Sequence, residues 1–430
     1  MRMKVGSAAR TNGNDAYSDG RARPPAGAGE ASMKSAPSRA RAGQQPPAII
    51  LGGGMIAIPV ARSLARAGAR VTALGTATDS TSRSRACAEF VALGSGGGVQ
   101  DRWLEWLSHR RERGAVLVPC SDDALELTAR HRATLVELGY WPVEADPNVT
   151  LAMLDKQRTY ELARQVGVPT PRTALSRPGD DVSIADGFAY PCALKPRYSH
   201  LYMQRVNTEH KAMYASSRDE LAAHLACATE LGLEMLVTEI IPGPEDSYHS
   251  FYCYLDERGD SLIHVTKRKL RQYPPVFGLA TYHVMTREPE VMELGLRFCQ
   301  GVGLRGIGVP EFKRDARDGQ LKLIECNARL TAGTELIHHS GVDLARIAYD
   351  RALGREVAPV RDYRVGVRML RPIEDIRAAR ALRREHQLTT HEWLMSLLHR
   401  QHLAVGSWRD PGPLIYSLLQ RAGLVDRGRS

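Results

Sequence analysis

No Cys-x-x-Cys pair occurs in the 430 residues; the seven cysteines (87, 120, 192, 227, 253, 299 and 326) are scattered. That spacing excludes a zinc ribbon and a disulfide framework and suits a reducing, cytoplasmic setting. Long apolar runs are also missing. The most apolar window, residues 48–65, is broken by Gly52, Gly53, Gly54, Pro59 and Arg62, so no transmembrane span is expected. The first 45 residues have almost no large apolar side chains and lack the apolar core of a secretory signal. They carry eight Lys/Arg against three acids, about half of the formal net charge of +10. This segment reads as a disordered basic extension outside the fold. There is no internal repeat, no recognisable nucleic-acid motif, and no Ser–His or Cys–His arrangement suited to covalent catalysis.

What is present begins at residue 46. A short apolar strand, a glycine turn, an amphipathic helix ending at Gly68 and a second strand over 70–74 form a βαβ opening. A helix over 101–113, a strand over 115–120, a helix over 122–138 and another starting near Asn148 continue the pattern. Residues 46–150 therefore read as a small parallel α/β domain. Beyond Pro171, strands at 191–196, 235–243, 248–256, 262–269 and 306–315 mix with helices at 217–231 and 289–302, an α+β texture. That domain is assigned to 151–355, and 356–430 reads as a basic, mainly helical region broken at Asp410-Pro411-Gly412-Pro413.

Two glycine-rich turns invite a nucleotide. Gly52, Gly54 and Ala57 match G-x-G-x-x-[GA] between a strand and a helix. No Asp or Glu lies between Gly54 and Asp79 to take a ribose hydroxyl, so a structural turn is the better reading. The segment Gly94–Gly98 has no Lys-Ser/Thr after it and fails as a P-loop.

A stronger constellation lies at Leu323–Leu330, where Glu325, Asn327 and Arg329 occupy alternate positions. In a strand they share one face, while Ile324, Cys326, Ala328 and Leu330 take the other. Asp318-Gly319 marks a turn upstream. A hairpin symmetric about residue 318 places Glu311 opposite Glu325, or nearly so with a bulge. Facing carboxylates destabilise a sheet unless something positive lies between them. Two carboxylates and an amide oxygen make a hard site suited to Mg²⁺ beside substrate phosphates, and Arg329 is placed to neutralise a transferring phosphoryl group. Lys195 sits in an otherwise apolar strand, which is costly without an anion, and Lys156 opens a helix. Backbone at Glu239-Ile240-Ile241 would meet an adenine edge, with Glu245 or Asp246 within reach of a ribose.

The order Lys156, Lys195, Glu239-Ile240-Ile241-Pro242-Gly243, Glu311 and Glu325-Cys326-Asn327-Ala328-Arg329 resembles the ATP-grasp superfamily across about residues 150–345. Within it the chain is similar to the carboxylate–amine ligase group, related to carbamoyl-phosphate synthetase and D-aspartate ligase. The resemblance implies a small α/β N-terminal domain, two α+β subdomains clamping ATP, and a helical C-terminal tail. It implies ATP as substrate and Mg²⁺ (or Mn²⁺) as cofactor. Lys156 and Lys195 would contact phosphates, Lys195 also the adenine. Glu239, Ile240 and Ile241 would lie along the adenine, and Glu245 or Asp246 by the ribose. Glu311, Glu325 and Asn327 would hold metal, and Arg329 the acyl phosphate. The family's phosphate-covering loop falls at 197–207, which has no glycine; Ser199 and His200 are the candidate donors there.

The cluster Lys267, Arg268, Lys269 and Arg271 reads as a solvated basic strand or as an anion-binding wall. Arg268, as a catalytic cation, and Arg271, as a substrate contact, are the candidates. His338-His339 are adjacent, a spacing that does not suit one metal. The expected partners are a small carboxylate and an amine (or thiol), with no specific nucleic acid and no membrane; a homo-oligomer is compatible. Two alternatives stand beside this reading. One is a nicotinamide-dependent oxidoreductase using Gly52 and Gly54, the other a basic nucleic-acid-binding protein with salt-dependent affinity.

Overall fold

A computed structural model describes residues 45–110, 113–143, 146–206 and 212–425. The basic extension lies, except for Gln45, outside the described residues.

Five strands, β1 (Ala48–Leu51), β2 (Val71–Gly75), β3 (Glu89–Ala92), β4 (Val116–Pro119) and β5 (Trp141–Pro142), form a parallel sheet in the order β3-β2-β1-β4-β5. β1 is apolar on both faces, as a covered parallel strand must be. Ala48 and Ile50 enter one core with the helix Ala57–Arg66, and Ile49 and Leu51 enter another with Trp103 and Leu107. The glycine turn after β1 is filled from within the chain. Asp79 Oδ2 accepts the Gly54 N–H at 2.6 Å, and a Cβ on Gly53 would lie 1.3 Å from that oxygen. A carboxylate thus holds an amide that a dinucleotide pyrophosphate would need, which removes the support for the oxidoreductase alternative.

The second sheet is antiparallel: β6 (Thr173–Ser176), β7 (Cys192–Pro196), β8 (Met213–Ala215) and β9 (Met235–Glu239), in the order β6-β9-β7-β8. Its core is closed by Leu221 and Leu225 of the helix Arg218–Glu230 and by Tyr202. Tyr202 belongs to a helix, Ser199–Val206, where a phosphate-covering loop was expected; Asn207, the last residue of that expected loop, lies outside the described residues.

The third sheet contains β10 (Tyr248–Leu255), β11 (Ser261–Tyr273), β12 (Leu279–Thr286), β13 (Gly306–Arg314), β14 (Leu321–Asn327), β15 (Arg368–Leu370) and β16 (Gln401–Leu403). Their order is β14-β13-β10-β11-β12-β15-β16, antiparallel except for the last pair. β10 shows the period of two: Phe251, Cys253 and Leu255 pack with Phe298 of the helix Pro289–Gly301, while Tyr252 and Tyr254 face the core shared with β1. Among its described residues, the region read as helical from 356 contains three helices, Pro372–Arg384, Thr390–Ser396 and Gly412–Arg421, and also β15 and β16. Its Asp410 is buried against the first sheet's helix, accepting from Arg62 Nε at 2.9 Å and from Ser84 Oγ at 2.6 Å. Among the described residues no helix is long and apolar enough to cross a membrane.

Candidate active site

Near the turn of the β13–β14 hairpin, Arg314 faces Leu321 and Lys313 faces Lys322. Continued unbroken, that register would put Ile324 opposite Glu311. A one-residue bulge intervenes, and Glu325 stands there instead. The bulge also changes what Ile324 does. Leu323, Cys326 and Ala328 join the core, whereas Ile324 lines a cavity and its carbonyl accepts the Tyr160 hydroxyl at 2.6 Å.

The facing carboxylates are compensated locally. Lys269 Nζ lies 2.7 Å from Glu311 Oε1, Ser250 Oγ donates to Glu311 Oε2 at 3.3 Å, and Asn327 Nδ2 donates to Glu325 Oε1 at 3.2 Å. Among the described residues no three His, Cys, Asp or Glu side chains gather as a metal centre. Two acids and one amide oxygen still fit Mg²⁺, which commonly binds protein through one or two carboxylates and completes its shell with phosphate and water.

The opposite wall comes from the second sheet. Asp155 caps the helix Lys156–Gln165 and accepts from Arg197 at 2.6 Å and from the Tyr198 hydroxyl at 2.9 Å. This fixes Lys156 beside β7, its Nζ 2.5 Å from Ser199 Oγ. Lys195 projects from β7 with its ammonium 5.6 Å from the Phe277 ring centre. Desolvation, with Lys156 and Lys313 adding to it, pushes its pKa down to about 8 against the pull of Glu325 and Glu311. A cavity of about 370 Å³ lies between these walls and also reaches Gly53, Met55 and Ile56 of the first sheet's turn.

The overall architecture matches solved enzymes. Biotin carboxylase from Campylobacter jejuni, solved as a β,γ-ATP complex, superposes with a TM-score of 0.58 at 15% identity, covering 75% of this chain and 74% of that one. The chain has the ATP-grasp fold. In sequence, this ATP-grasp chain is 25% identical over 253 residues to D-aspartate ligase of Enterococcus faecium, covering 56% of this chain and 59% of that protein. It is 28% identical over 193 residues to D-alanine–D-alanine ligase of Pseudomonas fluorescens, covering 40% and 53%. The chain thus spans a little over half the length of these curated relatives. No family model matches it.

Ten of the expected site residues line this cavity: Lys156, Lys195, Ser199, Glu239, Ile240, Ile241, Glu311, Glu325, Asn327 and Arg329. Glu239 is tied down, accepting the Arg172 N–H at 2.9 Å and Arg317 at 3.0 Å. Arg329 is buried, and its Nε and Nη2 lie 2.7 and 2.6 Å from Asp122 Oδ1.

Five others do not line the cavity. His200 is buried against Glu126 at 2.9 Å. Burial would raise the Glu126 pKa, but hydrogen bonds from His200, Gln100 and Arg130 bring it down to about 2. The histidine is committed to that pair rather than to phosphate. Arg268 stands on the outer face of β11 with Asp246, 3.3 Å away. Arg271 is buried in a fork with Asp375, both bonds 2.8 Å. Glu245 holds the backbone N–H of Val276 at 3.1 Å, which positions the loop carrying Phe277. Asp246, engaged with Arg268, is likewise off the cavity wall.

Of the basic cluster, Lys267 and Lys269 line the cavity, whereas Arg268 and Arg271, the expected contacts, do not. Strand parity turns Lys267 and Lys269 inward and Arg268 outward, and register shifts after Lys269 redirect Arg271. Parity was readable; the shifts were not. The cavity also takes in His283, Phe277, Tyr252 and Arg371, residues that carried no spacing signal.

Proposed function

We propose that the chain is an ATP-dependent ligase that activates a carboxylate as an acyl phosphate for attack by an amine (or thiol), releasing ADP and phosphate. The observation that carries this reading is the rung of Glu311 and Glu325, with Asn327 beside it, across a cavity from Lys156 and Lys195. Acids that would hold a hard cation and lysines that would hold phosphate face each other over a space large enough for a nucleotide and a small acid.

The proposed roles follow from position. Lys156 and Lys195 bind the phosphates of ATP. Ile240 and Ile241 lie along the adenine, with Phe277 closing that end. Glu311, Glu325 and Asn327 would hold Mg²⁺ (or Mn²⁺), which when bound neutralises phosphate charge. Arg329, oriented by Asp122, steadies the phosphoryl group as it reaches the substrate carboxylate. The amine then displaces phosphate from the acyl carbon. No protein nucleophile is required, because positioning and charge neutralisation carry the acceleration. Residues 46–150, 151–355 and 356–430 are proposed as the working domains, and a cytoplasmic location belongs to the same proposal. ADP release from purified protein, screened against panels of carboxylic acids and amines with mass spectrometry of the products, tests it. Release that requires neither an acid nor an amine would refute it.

A further inference from the structure

Along one rung of the third sheet, Glu325, Glu311, Ser250 and Lys267 stand side by side on β14, β13, β10 and β11. Beyond them Lys269 faces His283, and His283 faces Met369, which precedes Arg371 by two. The acids occupy one edge of the cavity floor and the basic groups the other. Lys267 lies three strands from β14, roughly 14 Å at the usual strand spacing.

Most of this basic corner is unsatisfied. Lys267 is 4% exposed and its ammonium makes no hydrogen bond or ion pair among the described residues; the Tyr252 ring centre is 5.7 Å from its Nζ. His283 is 2% exposed, and neither ring nitrogen has a partner; Gln272 Nε2 is equally bare. Arg371 reaches Glu374 at 3.4 Å, a carboxylate it shares with Arg421. Lys269, by contrast, is spent on Glu311. The corner is also enclosed: a Cβ on Gly333 would lie 2.3 Å from Tyr252 Oη and 3.0 Å from Lys267 Cε. Burying such groups without partners is costly, and an anionic ligand would supply the partners.

Arg329 with Lys156 and Lys195 already serves the reacting end. A monocarboxylate would leave Lys267 and His283 bare and Arg371 with only the carboxylate of Glu374, shared with Arg421. Resting on the ligase reading, we propose that the acid substrate carries a second anionic group, a carboxylate or a phosphate, held by Lys267, His283 and Arg371 at the end of the cavity away from Glu325 and Arg329. Met55, Ile56 and Met369 line the same cavity and suit a short carbon chain between the two ends.

The test is calorimetric binding, with Mg-ADP present, of α,ω-dicarboxylates of two to six carbons, their half-amides and the matching ω-phosphono acids. At least one diacid or phosphono acid is expected to bind tenfold or more tightly than its half-amide, with the advantage lost in Lys267→Met and Arg371→Ala. The tighter of the two acid types identifies the second group. Because an unpaired buried cation is removed, Lys267→Met is expected to melt at a higher temperature than the parent, which separates lost binding from misfolding. Half-amides binding as tightly as their diacids, or a preference that survives both substitutions, would overturn the proposal. ADP release separates it from the ligase reading. Diacid preference with no ADP release under any amine counts against the ligase alone, and ADP release from monoacids as efficient as from diacids counts against the second anion site alone.

Discussion

Arg329 and Asp122 are joined by two bonds of 2.6 and 2.7 Å across 207 residues of chain. The arginine follows the candidate metal strand, while the aspartate opens the helix Asp122–Arg130 of the parallel unit. The first unit therefore orients a side chain that the ATP-grasp sheet presents.

Asp122→Ala should leave Arg329 charged but free to swing. A misplacement of about 1 Å in a positioning group costs on the order of 100-fold in rate. The expected result is a fall in kcat of about that size with KM for ATP little changed. An equal rise in KM for ATP would show instead that Asp122 supports nucleotide binding.

A pH dependence follows from two lysines. Desolvation pushes Lys195 and Lys267 down to about 8. An anion pairs with the protonated form, so ADP affinity measured without metal, which engages Lys195, should be full below pH 8 and fall as pH rises through it, and the affinity for a second anionic group on the acid should do the same through Lys267. The loss at pH 9 is on the order of tenfold for each lysine engaged. Lys195→Arg, charged throughout, should flatten its share of the slope. Stability of the unliganded protein runs the other way. Between pH 8 and the ordinary lysine value of 10.5 the unfolded chain binds more protons, so these two lysines make stability rise with pH there.

Asp410 ties the C-terminal region to Arg62 inside the molecule. Removing one partner of a buried pair costs about 3–5 kcal/mol when the other is left uncompensated; Glu335, 4.0 Å from Arg62, offsets part of that. Asp410→Ala should lower the denaturant midpoint accordingly. A midpoint within experimental error of the parent would show that the C-terminal region docks by other means.

Much of the site was legible because it rests on strand parity. Glu325 and Asn327 on alternate positions, and Glu311 fourteen residues earlier, follow from two-residue periodicity and one turn signal. Direct pairing nevertheless depends on a bulge at Ile324 that no residue type announced. The same period, applied strictly to β11, points inward at Lys267 and Lys269 and outward at Arg268. The helix Ser199–Val206 replaced an expected loop, since its own sequence, with no glycine or proline, favours helix. The Arg329–Asp122 and Arg62–Asp410 pairs belong to tertiary packing and leave no local trace. β12, with His283 at its centre, joined the sheet without an alternating polar pattern to mark it.

Like charges facing each other destabilise a sheet, so Glu325→Gln should hold or raise the melting temperature while losing activity. A lower melting temperature would mean that the acid pair stabilises the fold.

The most direct test compares ADP release by the parent protein, with an acid and amine that it accepts, against Glu325→Ala and Arg329→Ala at matched circular dichroism. Both variants are predicted to retain the fold and lose ADP release. Full activity in both would contradict the assignment of this strand as the ATP-using centre.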